Sequence, residues 1–266
     1  MSAHAYTEDQ LVEQPAIGLF AELGWTTVSA LEETFGATGT LLRETKGEVV
    51  LVSSLRAALE RLNPALPPEA ITAAVDELTR DRSAMSLQAA NREVYRLLKE
   101  GIPVSVLERD PTPHPGPLPG RGGEGGSAKG TARPTKGGQT TVRVRVIDWE
   151  QPANNDFLVV SQFSVTGALY TRRPDLVCFI NGLPLVVIEL KKPGVPARAA
   201  FDENLTHYKA ESPQLFWFNA LLIASNGTDS RVGSLTADWE RFFEVRAGLA
   251  FNASSARTSR AGCRWR

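Results

Sequence analysis

The stretch that most constrains this chain is Arg173-Pro174-Asp175-Leu-Val-Cys-Phe-Ile-Asn-Gly-Leu-Pro-Leu-Val-Val-Ile-Glu189-Leu-Lys191-Lys192. Two apolar runs, Leu176 to Ile180 and Leu185 to Leu190, flank Asn181-Gly182, and both of these residues tolerate positive φ. The pattern predicts a tight hairpin. Its unbroken Val, Ile and Leu runs predict strands covered on both faces.

Charge within such strands is costly unless it is paired or bound to a metal. Glu189 and Lys191 are two apart, so they share one face of a strand. A three-residue turn, Asn181 to Leu183, sets Asp175 directly opposite Glu189. A two- or four-residue turn shifts the pairing by one and needs a bulge to restore it. Two carboxylates beside one amine suit Mg²⁺, a hard cation that prefers oxygen and keeps several waters. The cation polarises a phosphodiester and activates water, and the lysine orients that water or neutralises developing charge. The alternative is a buried Glu189–Lys191 ion pair with Asp175 as a strand cap.

Composition narrows the function classes. The formal net charge is -1, so any nucleic-acid contact must rest on a local patch or a partner. Cys178 and Cys263 form no metal or disulfide pattern, which fits a reducing cytoplasm. His4, His114 and His207 are scattered, which argues against a zinc site or a histidine-based triad. No signal peptide is expected, and no apolar run approaches the roughly 20 residues of a membrane span.

Thr7-Glu8-Asp9-Gln10 has the form of a capping box, followed by apolar residues at helical spacing from Leu11 to Leu23. Pro15 kinks or restarts this helix, and Gly24 ends it. Its acids, Glu13 and Glu22, either face solvent or, for Glu13, approach the metal. Residues 26 to 47 give no assignable pattern, and Val49 to Val52 is a strand or a helix lead-in. Ser54 to Leu62, Pro68 to Arg80 and Leu87 to Lys99 read as helices. Residues 110–138 hold six prolines and nine glycines and read as a flexible insert. The Val/Arg alternation of Thr141 to Asp148 predicts a half-exposed edge strand with Arg143 and Arg145 on its polar face. Phe157 to Thr166 is a strand, Ala197 to Ala210 a helix and Leu221 to Ser225 a strand. Asn204 and Tyr208 are four apart on that helix and can meet. Val232 to Leu235 reads as a last strand. Ala237 to Phe243 reads as a short helix with Trp239 and Phe243 inward, and from Ala247 periodicity is lost.

The order helix, edge strand, strand, acid-bearing hairpin, helix, strand resembles the PD-(D/E)xK nuclease core. Five blocks go further: Ile147-Asp148-Trp149-Glu150, Asn154-Asn155-Asp156-Phe157, Arg172-Arg173-Pro174-Asp175, Leu185-Val-Val-Ile-Glu189-Leu-Lys191 and Gly233-Ser-Leu-Thr-Ala-Asp-Trp-Glu-Arg-Phe242. With Glu13-Gln14-Pro15 and Arg61-Leu62-Asn63-Pro64, they resemble the N-terminal nuclease domain of the type I restriction enzyme R subunit. The resemblance implies an α/β, restriction-endonuclease-like core with a mixed central sheet flanked by helices. Together with composition and periodicity, which set off the insert and the tail, it divides the chain into a helical N-terminal part (1–109), the insert (110–138), which is unlike the family, a nuclease core with the catalytic hairpin (139–244) and a disordered tail (245–266).

It further implies that Asp175 and Glu189 bind Mg²⁺ and that Lys191 assists the attacking water. Asn204, Tyr208, Glu13, Arg173 and Lys192 are implied as supporting or DNA-contacting residues. The family usually has Gln four before that tyrosine, where Asn204 is one methylene shorter. The implied activity is endonucleolytic hydrolysis of unmodified double-stranded DNA, in a cytoplasmic complex with methyltransferase and specificity subunits. ATP belongs to helicase domains of the full R subunit, and this sequence has no Gly-x-x-x-x-Gly-Lys-Ser/Thr loop. The stretch after Glu244 reads as a truncated or frame-shifted end. The competing expectation is a catalytically silent remnant that serves only in assembly or DNA docking.

Overall fold

The computed structural model describes residues 7–107 and 139–245. The insert (110–138) lies outside the described residues, and so does the tail from residue 246 on.

The chain opens with a π-helical turn, Asp9–Glu13, that runs into α1 (Gln14–Glu22). The Gln10 N–H donates to Thr7 Oγ1 at 3.3 Å, the bond that the capping pattern predicts. Pro15 has no N–H to give and sits in the first turn of α1, so the helix changes pitch there instead of breaking. Gly24, at φ +85°, ends it.

After β1 (Thr26–Ser29) come α2 (Val52–Leu62), α3 (Pro68–Thr79) and α4 (Leu87–Glu100). Next are β2 (Ile102–Leu107), β3 (Gln139–Val144), β4 (Phe157–Ser161), β5 (Val165–Thr166) and β6 (Thr171–Arg172). The predicted hairpin is β7 (Leu176–Ile180) and β8 (Leu183–Leu190). A second π-helical turn, Ala200–Leu205, leads into α5 (Thr206–Glu211), followed by β9 (Leu221–Ser225), β10 (Ser230–Gly233) and β11 (Phe243–Glu244).

The main sheet is mixed and seven-stranded, in the order β1-β4-β7-β8-β9-β10-β11. β1 runs parallel to β4 and β8 parallel to β9, and the other pairs are antiparallel. The hairpin therefore lies at the centre with a strand on either side, which explains its apolar composition. Alternate residues serve opposite faces. Leu176, Cys178, Ile188 and Leu190 pack with Val12, Ile17 and Phe20 under the first helix. Val177, Phe179, Val187 and Leu222 join Leu55, Leu59, Leu78 and Leu205 in the larger core on the other face. Each such fully buried side chain contributes roughly 1.5–3 kcal/mol.

Four expectations need correction. Thr141 to Asp148 is not an edge of the core sheet: among the described residues β3 pairs only with β2, antiparallel, in a separate ribbon, and the edge position belongs to β1. Arg143 and Arg145 are exposed, as their alternation predicts. The strand from Phe157 stops at Ser161, because Gln162 adopts φ +58°. Ala237 to Phe243 forms a single 3-10 turn, Trp239–Arg241. Phe242, not Phe243, points inward: its ring packs against Phe201 and Trp239, with centroids 5.1 and 5.6 Å away, while Phe243 enters β11 and is 75% exposed.

The segment that gave no pattern is held by a buried charge. Arg43 donates to both carboxylate oxygens of Glu33 at 2.6 and 2.5 Å, to the carbonyls of Glu48 and Ser164, and lies 4.0 Å from the centre of the Phe163 ring. Val49, Val50 and Leu51 form the buried lead-in to α2.

Candidate functional site

The hairpin turn takes two residues, with Asn181 at φ +52° and Gly182 at φ +79°. Ile180 pairs with Leu183 and Phe179 with Pro184. The register then shifts, so that Cys178 pairs with Val186 and Leu176 with Ile188. Leu185 is the extra residue of a bulge, and Pro184 sits beside it, where prolines are tolerated in strands. Extending the restored register by one residue sets Asp175 opposite Glu189. The facing arrangement is thus reached by the two-residue turn plus bulge, not by a three-residue turn.

Polar contacts fix the turn. Asn181 is fully buried: its Nδ2 donates to the Val146 carbonyl and to Asn155 Oδ1, both at 2.8 Å, and its Oδ1 accepts the Asp156 N–H at 2.8 Å. The Leu51 N–H donates to the Gly182 carbonyl at 2.9 Å. Asn155 bonds the main chain of Asp148 in both directions, Asn63 does the same to Arg145, and Arg61 pairs with Asp156 at 2.8 Å. Several of the sequence blocks singled out above therefore brace the turn, at the end of the hairpin remote from the acids.

At the other end, Asp175 Oδ2 accepts the Leu190 N–H at 2.7 Å, across the strand pair. Glu189 is 3% exposed. Its Oε1 accepts the Tyr208 hydroxyl at 3.2 Å and lies 3.8 Å from Lys191 Nζ. Its Oε2 is buried without a hydrogen-bond partner. Asn204 Nδ2 donates to the Tyr208 hydroxyl at 3.2 Å, while Asn204 Oδ1 is buried and unpartnered. The short side chain thus reaches Tyr208, and through it Glu189. Lys191 is held in line by its own N–H, which donates to the Ser225 carbonyl of β9 at 2.8 Å.

Glu13 joins this group and does not face solvent, whereas Glu22 is exposed. Both Glu13 oxygens accept from Gln162 Nε2, at 3.0 and 2.9 Å, and the same nitrogen lies 3.5 Å from Asp175 Oδ1. Glu8 Oε2 accepts the Lys192 N–H at 2.6 Å. The side chains of Arg173 and Lys192 are exposed on either side of the hairpin's open end. Sequence reasoning passed over Gln162. A polar residue after a strand reads as ordinary loop, and its left-handed backbone leaves no mark in the sequence.

Burial pushes the Glu189 carboxyl well above its usual value, and Asp175 adds to this against Lys191 and the Tyr208 hydroxyl. Burial also raises Asp175, against the Leu190 N–H, and Glu13, against the Gln162 amide. The Tyr208 hydroxyl is raised by burial and by Glu189. Three carboxyls held above their ordinary range at one end of one hairpin mark a site where charge must be neutralised, by protons or by a cation.

The sequence matches the family model of the type I restriction enzyme R protein N terminus over residues 5–114 and 127–241. It is 32% identical over 240 residues to the type I restriction enzyme HindI endonuclease subunit of Haemophilus influenzae, covering 87% of this chain and 19% of that protein. It is 29% identical over 242 residues to a Methanocaldococcus jannaschii protein provisionally named type I restriction enzyme MjaIXP endonuclease subunit, covering 89% of this chain and 20% of that one. Over 92 residues it is 39% identical to the type I restriction enzyme EcoprrI endonuclease subunit of Escherichia coli, covering 33% of this chain and 29% of that protein. The chain spans about a fifth of the length of the first two relatives.

Proposed function

Since the chain belongs to the family of type I restriction enzyme R protein N termini, we propose that it is the Mg²⁺-dependent DNA endonuclease domain of a restriction–modification R subunit, built on a PD-(D/E)xK core. The observation that carries this reading is the buried, unpartnered Oε2 of Glu189, on the strand face that the register gives to Asp175.

Asp175 and Glu189 fit a hard cation. Both are oxygen donors, Asp175 raises the cost of charging Glu189, and Glu189 keeps a buried oxygen free of hydrogen bonds. Among the described residues no group of three or more His, Cys, Asp or Glu side chains gathers closely enough to hold a metal ion. Two carboxylates with water completing the shell is the mode that suits Mg²⁺. A cation held there would polarise the scissile phosphodiester and lower the pKa of the attacking water. Tyr208 fixes Glu189 through Oε1, which leaves Oε2 for that ligand role. Lys191, 3.8 Å from Oε1, orients the nucleophile or neutralises charge developing on the phosphate. Arg173 and Lys192 supply exposed positive charge for the DNA backbone, which the near-neutral chain as a whole does not.

The substrate proposed is unmodified double-stranded DNA, cut within a complex that includes methyltransferase and specificity subunits. ATP is assigned to other domains of that R subunit and not to these residues. No described helix is long and apolar enough to cross a membrane.

The test is nicking of supercoiled plasmid by the purified chain with Mg²⁺, beside Glu189→Ala. Metal-dependent nicking by the wild type, lost in the variant by at least about 100-fold, is expected. A catalytically silent chain would bind plasmid without nicking it. Unchanged metal affinity in Glu189→Ala would remove the assigned site altogether.

A further inference from the structure

Gln162 reaches two acids at once. Its Nε2 bonds both oxygens of Glu13 and faces Asp175 Oδ1, while its main-chain N–H donates to the Asp175 carbonyl at 2.8 Å. We propose that Gln162 is a positioning residue for the cation site: its amide ties Glu13 of the first helix to Asp175 of the hairpin and presents the Asp175 carboxylate in one orientation. This rests on the nuclease reading in taking Asp175 as a cation ligand.

Three features support it. First, the backbone at Gln162 is left-handed, at φ +58°, a region that suits glycine and strains most other side chains. A long side chain kept in such a conformation has a use there. Second, the amide is neutral. Carboxylates crowd this end of the hairpin, and a lysine or arginine in place of Gln162 would neutralise them and compete with a cation. An amide holds them through hydrogen bonds and leaves their charge available. Third, the other oxygen of Asp175 is already fixed by the Leu190 N–H at 2.7 Å. Gln162 on one side and Leu190 on the other leave the carboxylate little freedom to rotate, which is what a ligand needs to meet a cation without reorganising.

The experiment measures Mn²⁺ binding to the full chain by electron paramagnetic resonance, with Tm recorded for every variant. Gln162→Gly removes the amide and suits the left-handed backbone. It is expected to hold Tm while weakening Mn²⁺ binding roughly 10–100-fold, the usual effect of losing a partner that orients a ligand. Gln162→Asn keeps an amide in a conformation that Asn tolerates, but one methylene short of Glu13, and is expected to weaken binding in the same direction. In a Glu13→Ala background, Gln162→Gly is expected to add less than it does alone, since the two act through one contact. Wild-type affinity in both Gln162 variants, with binding lost in Glu189→Ala, overturns the positioning role and leaves the nuclease reading standing. A loss of affinity that only tracks falling Tm in both variants also overturns it. Absence of Mn²⁺ binding by the wild type overturns the nuclease reading and this proposal with it.

Discussion

Glu189 and Asp175 are held at raised pKa in the folded chain, above ordinary values of 4.5 and 3.8. Between those values and the raised ones, the folded protein binds more protons than the unfolded chain. Stability from this pair is therefore fully present below the unfolded values and is lost as pH rises through the folded ones. Without divalent cation, melting temperature should fall as pH rises above the ordinary carboxyl range, and Glu189→Gln should flatten that slope and raise Tm at the alkaline end. Calorimetry in chelator checks this, and parallel slopes for the two proteins would refute it. At this scale the acids and lysine were legible, because charge inside an apolar run announces itself and a spacing of two fixes the face. Glu13 was legible only as one of two options, since helical periodicity cannot say which acid is buried when the helix changes pitch at Pro15. Gln162 was not legible, because its role depends on a backbone conformation and on a partner far away in the chain.

The elements were read best where they are long and periodic. α3 and α4 begin at the residues expected and end within one residue of them, and Gly101, at φ +79°, closes α4. The ribbon β2–β3 was half missed, since Ile102 to Leu107 follows directly on the capping Gly101 and its partner lies beyond the insert. The hairpin was predicted with its register open between a longer turn and a bulge, and no local signal separates the two. The two-residue turn depends on the close approach of α2. A Cβ on Gly182 would stand 2.6 Å from the Leu51 carbonyl oxygen and 2.7 Å from the Leu55 nitrogen. Gly182→Ala therefore combines a positive φ with a backbone clash and should cost more than about 1 kcal/mol. Urea denaturation of the variant measures it, and an unchanged midpoint would show that α2 can move aside.

The molecule as a whole places its acids at the centre of a sheet whose two faces are covered by different parts of the chain. That is why the resemblance had to be carried by blocks spread from Glu13 to Phe242 and not by one motif. The ribbon stands outside this sheet, and β2 and β3 pair as far as Leu107 with Gln139. Their ends are thus already adjacent, close enough for a two-residue turn. Replacing residues 108–138 with Asn-Gly should leave both Tm and Mn²⁺ affinity unchanged. A loss of affinity at constant Tm would show that the insert contributes to the site.

The bulge at Leu185 gives the hairpin one residue in reserve. Leu185 has no partner on β7, so a chain without it still sets Cys178 beside Val186, Leu176 beside Ile188 and, one step on, Asp175 beside Glu189. What the site cannot survive is Leu185 entering the ladder. With the same two-residue turn, Cys178 would then face Leu185 and Asp175 would face Ile188, and Glu189 and Lys191 would turn to the opposite side of the sheet, among Cys178 and the apolar residues under α1, without altering a single chemical group. A single deletion at Leu185 should therefore spare the site, whereas an added residue in β8 leaves the acids together only if a second bulge or a longer turn takes it up.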